Sequence, residues 1–288
     1  MFAGSYCGSP PGLHEIAMRW NFDPALIAVL ACGLALALRA RNRLAAAGVA
    51  LLAVAFVSPL CAASVTLFSA RSVHHLFLIA ASLAFAMAVR DSSTSSRIAR
   101  TLSGLHLPIG PATIVMTVVL WGWHVPALYD AALSNMLVYW VMQLSILATS
   151  FAFWHAVRRA SAVGAVGGLL GGMVQMGFLG ALLTFAARPF YLVHIVAAPS
   201  WGISALADQQ LSGLIMWIGG MAPFAIAGMA VGMALFPASA AALSRLVFDR
   251  RPLSGTGRVL IFAALWTMTE WVRGWVLTGF PWNLIGTV

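Results

Sequence analysis

The stretch SVHHLFLIAASLAFAMAVR, residues 72–90, is an apolar run with two histidines near its start and an arginine at its end. Its length is close to the roughly 20 residues with which an α-helix crosses the hydrocarbon core of a bilayer. Similar runs recur along the 288-residue chain, which is 61% hydrophobic and only 8% charged. Because soluble domains carry about 25% charged residues, this composition predicts an integral membrane protein.

Eight apolar runs predict an all-α fold, a polytopic transmembrane helical bundle with about seven to eight spans. The runs are Pro24–Leu38, Leu44–Ala62, Ser72–Val89, Pro108–Trp123, Leu137–Val157, Val163–Ala186, Leu211–Phe236 and Val259–Phe280. The seventh is long enough to tilt, or to break at Gly219-Gly220 and Pro223. Gly164, Gly168 and Gly172 in the sixth are four residues apart, a spacing that lets helices approach closely.

The basic residues predict the topology of the bundle. All 16 are arginines, and 12 of them lie in alternate breaks between the apolar runs. These are Arg39, Arg41, Arg43, Arg90, Arg97, Arg100, Arg158, Arg159, Arg245, Arg250, Arg251 and Arg258. The positive-inside rule places such breaks in the cytoplasm and the N-terminus outside. The same distribution excludes a nucleic-acid-binding face, despite the formal net charge of +9.

Most side chains that could bind or support a metal ion fall at the predicted outer face. They are Arg71, His74, His75, His124, Asp130, Arg188, His194 and Asp208, whereas His106 and His155 fall on the inner side. Neutral imidazole is the commonest metal ligand and suits copper or zinc. The outer face is therefore the predicted site.

Each of these residues also has a purely structural interpretation. His124 lies in WGWHVPALYD, residues 121–130, where tryptophan and tyrosine are typical of membrane interfaces, so it is an anchor or a ligand. Neighbouring His74 and His75 point about 100° apart on a helix, so at most one faces a given partner. Asp208 can cap a helix. The 13 methionines are scattered over several runs and are expected to pack rather than bind metal.

Cysteines and enzyme motifs add little to the functional prediction. Cys7, Cys32 and Cys61 form no CxxC pair; we expect Cys32 and Cys61 to pack and Cys7 to be free. The sequence contains no HExxH, GxSxG, phosphate loop or dinucleotide fingerprint. The N-terminus lacks the pattern of a signal peptide. We therefore expect a protein that is not an enzyme.

Four phrases resemble the CtaG-type cytochrome c oxidase assembly factors of bacteria. They are LFSARSVHHLFLIAAS, WGWHVPALYDAAL, GFLGALLTFAARPFY and DQQLSGLIMW, and the resemblance runs from about residue 55 to residue 219. It implies a multi-span inner-membrane protein associated with maturation of haem–copper oxidases through copper insertion.

The resemblance implies which residues are retained and which are replaced. The residues kept are His75, His124, Tyr129, Asp130, Arg188, Asp208 and Gln209. The family's third-span His-x-x-x-His begins here with Arg71, and Gln143 stands where a fifth-span histidine is usual. Arginine does not deprotonate to bind metal. With Arg71 and Gln143 at these two positions, two candidate ligands of the family are missing.

The last part of the chain, residues 221–288, resembles a membrane segment of apolipoprotein N-acyltransferases. The phrases are MAPFAIAGMAVGMALFPASAAAL and ALWTMTEWVRGWVLTGFPWNLIG. The resemblance implies a Cys nucleophile, Glu and Lys in a separate soluble domain, which this sequence lacks, so we expect no acyl transfer. Glu270 and Arg273, at i and i+3, can pair on one helix face. The predicted domains are therefore 1–220, CtaG-like, and 221–288, acyltransferase-like.

These observations predict a non-enzymatic assembly factor of the bacterial inner membrane that handles copper at its outer face. His75 and His124 are the predicted ligands, with His74 and His194 as weaker candidates. Asp130 and Asp208 would orient the imidazoles, Arg188 would balance the aspartates, and Gln209 is a further supporting polar residue. The predicted partners are haem–copper oxidase subunits and membrane lipid, with no nucleic acid.

Two alternatives remain from the sequence. One is an inactive fragment of a lipid-modifying acyltransferase, suggested by the last segment. The other is a metal or small-solute transporter, which should carry ionisable groups near the middle of the membrane. The middle of the spans offers mainly Gln143 and Gln175.

Overall fold

A computed structural model describes residues 5–89, 107–250 and 253–275, and the regular structure of these residues is entirely helical. The α-helices are α1 (Pro24–Arg39), α2 (Arg43–Val57), α3 (Leu60–Thr66), α4 (Phe68–Ala88), α5 (Ile109–Gly122), α6 (Pro126–Ser134), α7 (Met136–Arg159), α8 (Ala162–Thr184), α9 (Leu192–Ala197), α10 (Ala205–Arg250) and α11 (Gly255–Trp275). The predicted all-α class is confirmed, and a helix occupies each predicted apolar run.

Four helices, α4, α7, α8 and α10, are long and apolar enough to cross a membrane. The pairs α2–α3 and α5–α6 are bent by 49° and 72°, and counting each pair as one span raises the number to six. The described helices thus establish a multi-span bundle, while seven to eight spans stays a prediction. Helix α10 runs without interruption through Gly219, Gly220 and Pro223, where the sequence allowed a break.

Several helices begin at side chains that accept hydrogen bonds from the first free backbone N–H groups. Asp23, followed by a proline at the first helical position, caps α1, and Asn42 caps α2. Asn135 caps α7 and Ser161 caps α8 in the same way. These residue types are strongly preferred at helix starts, which is why the turns of the bundle lie at these positions.

The chain divides into two compact units, Met1–Ala225 and Ile226–Val288. In the first unit, α4 packs against α2, α3 and α7. The buried core at this helix includes Ala55, Leu78, Tyr139, Met142 and Ile146. Helix α4 therefore forms the centre of the first unit, and its N-terminal end carries the predicted site residues Arg71, His74 and His75.

Glycines allow two close helix contacts. A Cβ atom built on Gly168 would lie 2.5 Å from a side-chain carbon of Ile109, so this predicted small-residue position does admit α5. The second contact joins α8 and α10, because a Cβ atom on Gly180 would lie 2.9 Å from the carbonyl oxygen of Gly213. At this second crossing, backbone meets backbone and neither helix has room for a side chain.

The arginine-bearing turns of the first unit lie together at the C-terminal end of α4. Asn42, in the turn between α1 and α2, donates from Nδ2 to the Ala88 carbonyl oxygen at 3.0 Å. Arg158 donates to the carbonyl oxygens of Ala86 and Val89. Because α4 has 21 residues, this end lies about 30 Å from the other end. Which side faces the cytoplasm stays a prediction; Arg90, Arg97, Arg100, His106 and Arg251 lie outside the described residues.

Candidate metal site

Asp208 joins the start of α10 to the start of α4. Its Oδ2 accepts a hydrogen bond from the Phe68 backbone N–H at 2.6 Å. Its Oδ1 accepts from the Ser69 backbone N–H at 3.1 Å and also from the Ser69 hydroxyl. Asp208 is fully buried, so a charged carboxylate closes the N-terminus of α4 away from water. The sequence allowed Asp208 to cap the helix that it opens, but the structure places its hydrogen bonds at the start of α4 instead. None of these bonds orients an imidazole.

His75 and His124 face one another across the candidate site. Their ring centroids are 6.5 Å apart, with the ring planes inclined at 76°. The Nε2 atom of His75 is buried without a hydrogen-bond partner. The Nδ1 atom of His124 lies 2.7 Å from the Leu120 carbonyl oxygen, which can only accept, so Nδ1 carries the proton and Nε2 keeps its lone pair. His124 therefore offers a nitrogen lone pair, and His75 Nε2 is an unpartnered nitrogen that a metal could use.

A small cavity lies at this pair of rings. Its lining is Ser72, His75, Leu76, Ile79, Leu120, His124, Met176 and Met216. The cavity measures about 10 Å³, close to the smallest volume that holds a single water molecule. Met176 and Met216, which the sequence grouped with ordinary packing residues, are thus neighbours of the two predicted ligands.

His74 is directed away from this pair. Its ring meets the Phe56 ring edge-on, with centroids 4.9 Å apart and planes at 89°. The side chain is fully buried against α2. The expectation that only one of the two adjacent histidines faces the site agrees with this arrangement, and it is His75 that does so.

His194 uses both ring nitrogens in hydrogen bonds. Nδ1 donates to the Thr66 carbonyl oxygen at 3.0 Å, and Nε2 accepts from the Tyr129 hydroxyl at 2.7 Å. Burial lowers the pKa of His194 to about 3, so the ring is neutral at ordinary pH. His194 therefore connects α9, α6 and the end of α3, and the interpretation of this residue as a weaker metal ligand is not supported.

The remaining predicted polar residues position loops. Gln209 accepts from the Phe190 backbone N–H at 2.8 Å and donates to the Arg188 carbonyl oxygen at 3.3 Å. The Arg188 side chain is exposed, and within the described ranges no ion pair joins it to an aspartate. The Asp130 carboxylate lies against backbone N–H groups at the start of α9. The predicted charge balance by Arg188 therefore has no ion pair behind it among the described residues and stays a prediction.

The cation buried near the site is Arg71 instead. It is fully buried, its Nε donates to the Ser64 carbonyl oxygen at 3.2 Å, and its guanidinium lies 5.4 Å from the centre of the Tyr139 ring. Arg71 is one turn before His75 on α4. A fixed positive charge therefore lies close to the two free imidazoles.

The N-terminal segment is fastened over this end of the bundle. Cys7 and Cys61 form a disulfide, so the prediction of a free Cys7 is wrong. The Pro11 carbonyl oxygen accepts from the Trp201 indole N–H at 2.9 Å. Cys32 is exposed on α1, in contrast to the expected packing. Sequence spacing cannot reveal the disulfide, since the two half-cystines are 54 residues apart.

In the second unit, Glu270 and Arg273 form the ion pair that their i, i+3 spacing predicted. Both side chains are largely buried on α11. The pair lowers the cost of placing two charges in an apolar environment. The phrase from Thr278 to Trp282 lies outside the described residues.

Parts of the chain are similar to proteins named apolipoprotein N-acyltransferase. The protein from Caulobacter vibrioides is 57% identical over 68 residues, which cover 24% of this chain and 12% of that protein. The protein from Rickettsia prowazekii is 34% identical over 139 residues, covering 41% and 26%. The protein from Allorhizobium ampelinum is 32% identical over 156 residues, covering 46% and 28%. The chain thus spans between 12% and 28% of the length of these relatives.

Most of the chain matches another family. The model of the cytochrome c oxidase caa3 assembly factors, which include the CtaG type, matches residues 33–237. This range contains every predicted site residue and extends beyond both ends of the resemblance seen in the sequence phrases. No solved structure matches the chain.

Proposed function

The chain belongs to the cytochrome c oxidase caa3 assembly factors, and on that premise we propose that it delivers copper to haem–copper oxidase subunits. In this proposal it is not an enzyme but a membrane chaperone, and copper is its cargo. The observation that carries the proposal is the pair His75 and His124. Both rings line one cavity inside the first unit, and each has a nitrogen that no hydrogen bond occupies in the structure.

The residues at the cavity fit a copper ion. His75 Nε2 is buried without a hydrogen-bond partner, an arrangement that costs free energy unless something binds it. The hydrogen bond from His124 Nδ1 to the Leu120 carbonyl fixes the tautomer that exposes Nε2, as a carbonyl partner does for metal-bound histidines. His75 and His124 would hold the ion, and the Leu120 carbonyl would position one of the rings.

The proposed location is the bacterial inner membrane, with the imidazole-bearing end facing outward. The Cys7–Cys61 disulfide supports this orientation, because disulfides persist in oxidising compartments outside the cytoplasm. The arginine-bearing turns at the other end of α4 support it independently through the positive-inside rule. In this orientation, copper is received and released at the outer surface.

The acyltransferase-like relatives favour a second candidate, a membrane segment of a lipid-modifying enzyme. Its support is the 57% identity over 68 residues, the same length as the predicted domain 221–288. The family match covers far more of the chain and contains the histidine pair. Copper handling is therefore the better-supported function, and 221–288 is proposed to be an appended membrane segment.

Metal analysis tests the ligand role directly. The full chain, purified in detergent and loaded with copper, is compared with His75→Ala, His124→Ala and the control His14→Ala, whose side chain is exposed outside the bundle. We expect both site variants to lose most of the bound copper and the control to keep it. Equal copper content in all four proteins would remove the ligand assignment.

The assembly role needs a separate experiment in cells. A strain that lacks its own assembly factor is complemented with the same four genes, and oxidase activity and oxidase copper content are measured. We expect wild type and His14→Ala to restore both quantities and the site variants to restore neither. Failure of the wild-type gene to restore active oxidase would contradict the assembly role, whatever the metal analysis gives.

A further inference from the structure

The histidine pair alone does not make a metal site of the usual kind. Within residues 5–89, 107–250 and 253–275, no three side chains of the His, Cys, Asp and Glu types come close enough together to hold a metal. Asp208 is committed to the N-terminus of α4, and both ring nitrogens of His194 are hydrogen-bonded. Further ligands for an ion between His75 and His124 must therefore come from another residue type.

Two methionines supply that type. Met176 on α8 and Met216 on α10 line the same cavity as His75 and His124 and are only 1% and 4% exposed. The donors thus come from α4, the α5–α6 break, α8 and α10, and they surround the space from different sides. Two imidazole nitrogens and two thioether sulfurs are four potential donors, the number that a small ion can fill.

The position of Met176 is enforced by the facing helix. A Cβ atom on Gly220 would lie only 2.3 Å from the terminal methyl carbon of Met176. Gly220 therefore leaves room on α10 for the end of this side chain. Because α8 and α10 also touch through backbone at Gly180 and Gly213, the two methionine-bearing helices are fixed close together.

The chemistry of these donors selects one oxidation state. Thioether sulfur is soft and neutral and favours Cu(I), whereas zinc is bound by Cys, His and carboxylate side chains and Cu(II) by nitrogen and oxygen ligands. The buried Arg71, one turn from His75, adds a positive charge that repels a divalent ion twice as strongly as a monovalent one. Among these three ions, Cu(I) is therefore the one that a site with neutral ligands and a nearby fixed positive charge binds best.

We infer that Met176 and Met216 complete, with His75 and His124, a buried site that binds Cu(I) in preference to Cu(II) and Zn(II). This inference rests on the proposed function, because it specifies the ions that the histidine pair accepts. The thioethers set selectivity, and the imidazoles supply the stronger donors.

The test measures Cu(I) affinity of the full chain by competition with a chromophoric Cu(I) chelator, without oxygen and with ascorbate as reductant. All proteins carry Cys32→Ser, so that the exposed free thiol does not bind the ion. The variant is Met176→Leu with Met216→Leu, and the control is Met142→Leu, a fully buried methionine outside the cavity lining. Leucine keeps the volume and removes only the sulfur.

We expect the double variant to bind Cu(I) roughly tenfold more weakly or worse, since losing even a hydrogen bond behind a ligand costs about that much. The control should match the parent, and Zn(II) binding should be weak in all proteins. X-ray absorption of the Cu(I)-loaded parent should show sulfur neighbours that disappear in the double variant.

The outcomes separate the inference from the proposed function. If the parent binds Cu(I) and His75→Ala abolishes binding while the methionine variant equals the control, the thioether inference is wrong and the histidine site stands. If the parent binds zinc or Cu(II) more tightly than Cu(I), the selectivity is wrong. If the parent binds no copper in any form, both the inference and the proposed copper handling fail.

Discussion

Removal of the Asp208 carboxylate should destabilise the first unit by weakening the start of α4. Asp208 accepts three hydrogen bonds in a fully buried position, from two backbone N–H groups and one hydroxyl. In Asp208→Ala the Ser69 hydroxyl can rotate to another acceptor, but the Phe68 and Ser69 amides lose theirs. Each buried unsatisfied group costs about 1–3 kcal/mol, so the expected loss is about 2–6 kcal/mol.

A second substitution at the same position separates charge from hydrogen bonding. Asp208→Asn retains one carbonyl oxygen that can accept from one amide, but it loses the charge that favours the positive end of α4. We expect it to lose about 1–4 kcal/mol, from one amide left without an acceptor and from the lost charge, and less than the alanine variant. The expected order of stability is therefore wild type, then Asp208→Asn, then Asp208→Ala.

The measurement is the free energy of unfolding in detergent, followed by tryptophan fluorescence during denaturant titration. The matched control is Asp249→Ala, which removes an exposed carboxylate from the other end of the same helix. Exposed substitutions of this kind usually change stability by less than about 0.5 kcal/mol. An Asp208→Ala protein as stable as Asp249→Ala would refute the view that this carboxylate holds α4.

Two further predictions concern the His194 hydrogen bonds and the crossing of α8 and α10. Burial lowers the pKa of His194 from 6.5 to about 3. As the pH falls, His194 is therefore protonated in the unfolded chain before it is protonated in the folded protein. The stability contributed by the neutral ring is complete above pH 6.5 and falls by about 1 kcal/mol by pH 5.5. The free energy of unfolding of His194→Gln should lack this pH-dependent loss. Parallel plots of unfolding free energy against pH for the two proteins would contradict the prediction. Gly180→Ala should lower the unfolding temperature, because its Cβ would lie 2.9 Å from backbone atoms of α10. The control Gly167→Ala should not, because the space around Gly167 is open. Equal unfolding temperatures for the two variants would contradict the backbone contact.

The helices were predictable from sequence because their physical causes are local. An apolar run of about 20 residues must form a helix in lipid, and the arginines and capping residues mark its ends. The run from Ser72 to Val89 therefore appears as α4, although the helix begins four residues earlier at Phe68. That earlier start depends on Asp208, which is 140 residues away in sequence and is invisible to any local pattern.

The functional site was predictable only in part for the same reason. The histidines predicted at the outer face could be grouped by the predicted topology, but the use of each ring nitrogen depends on partners from distant segments. His194 illustrates this point, because its partners Tyr129 and Thr66 are 65 and 128 residues away. Met176 and Met216 carry no local signal either, since a methionine in an apolar helix looks the same whether it packs or faces a cavity.

Arg71, which stands where the sequence resemblance implies a histidine, gives the candidate site its distinctive physical character. A histidine at this position would stand one helical turn before His75 and could share a metal with it, as i and i+4 side chains do. Arg71 instead puts a buried positive charge there, stabilised by the Tyr139 ring and the Ser64 carbonyl but without a carboxylate partner among the described residues. Any cation that enters must do so against this charge, and uncharged His124, Met176 and Met216 cannot neutralise it. This arrangement disfavours a divalent ion more than a singly charged one, so the proposed selectivity for Cu(I) depends on Arg71 as well as on the thioethers.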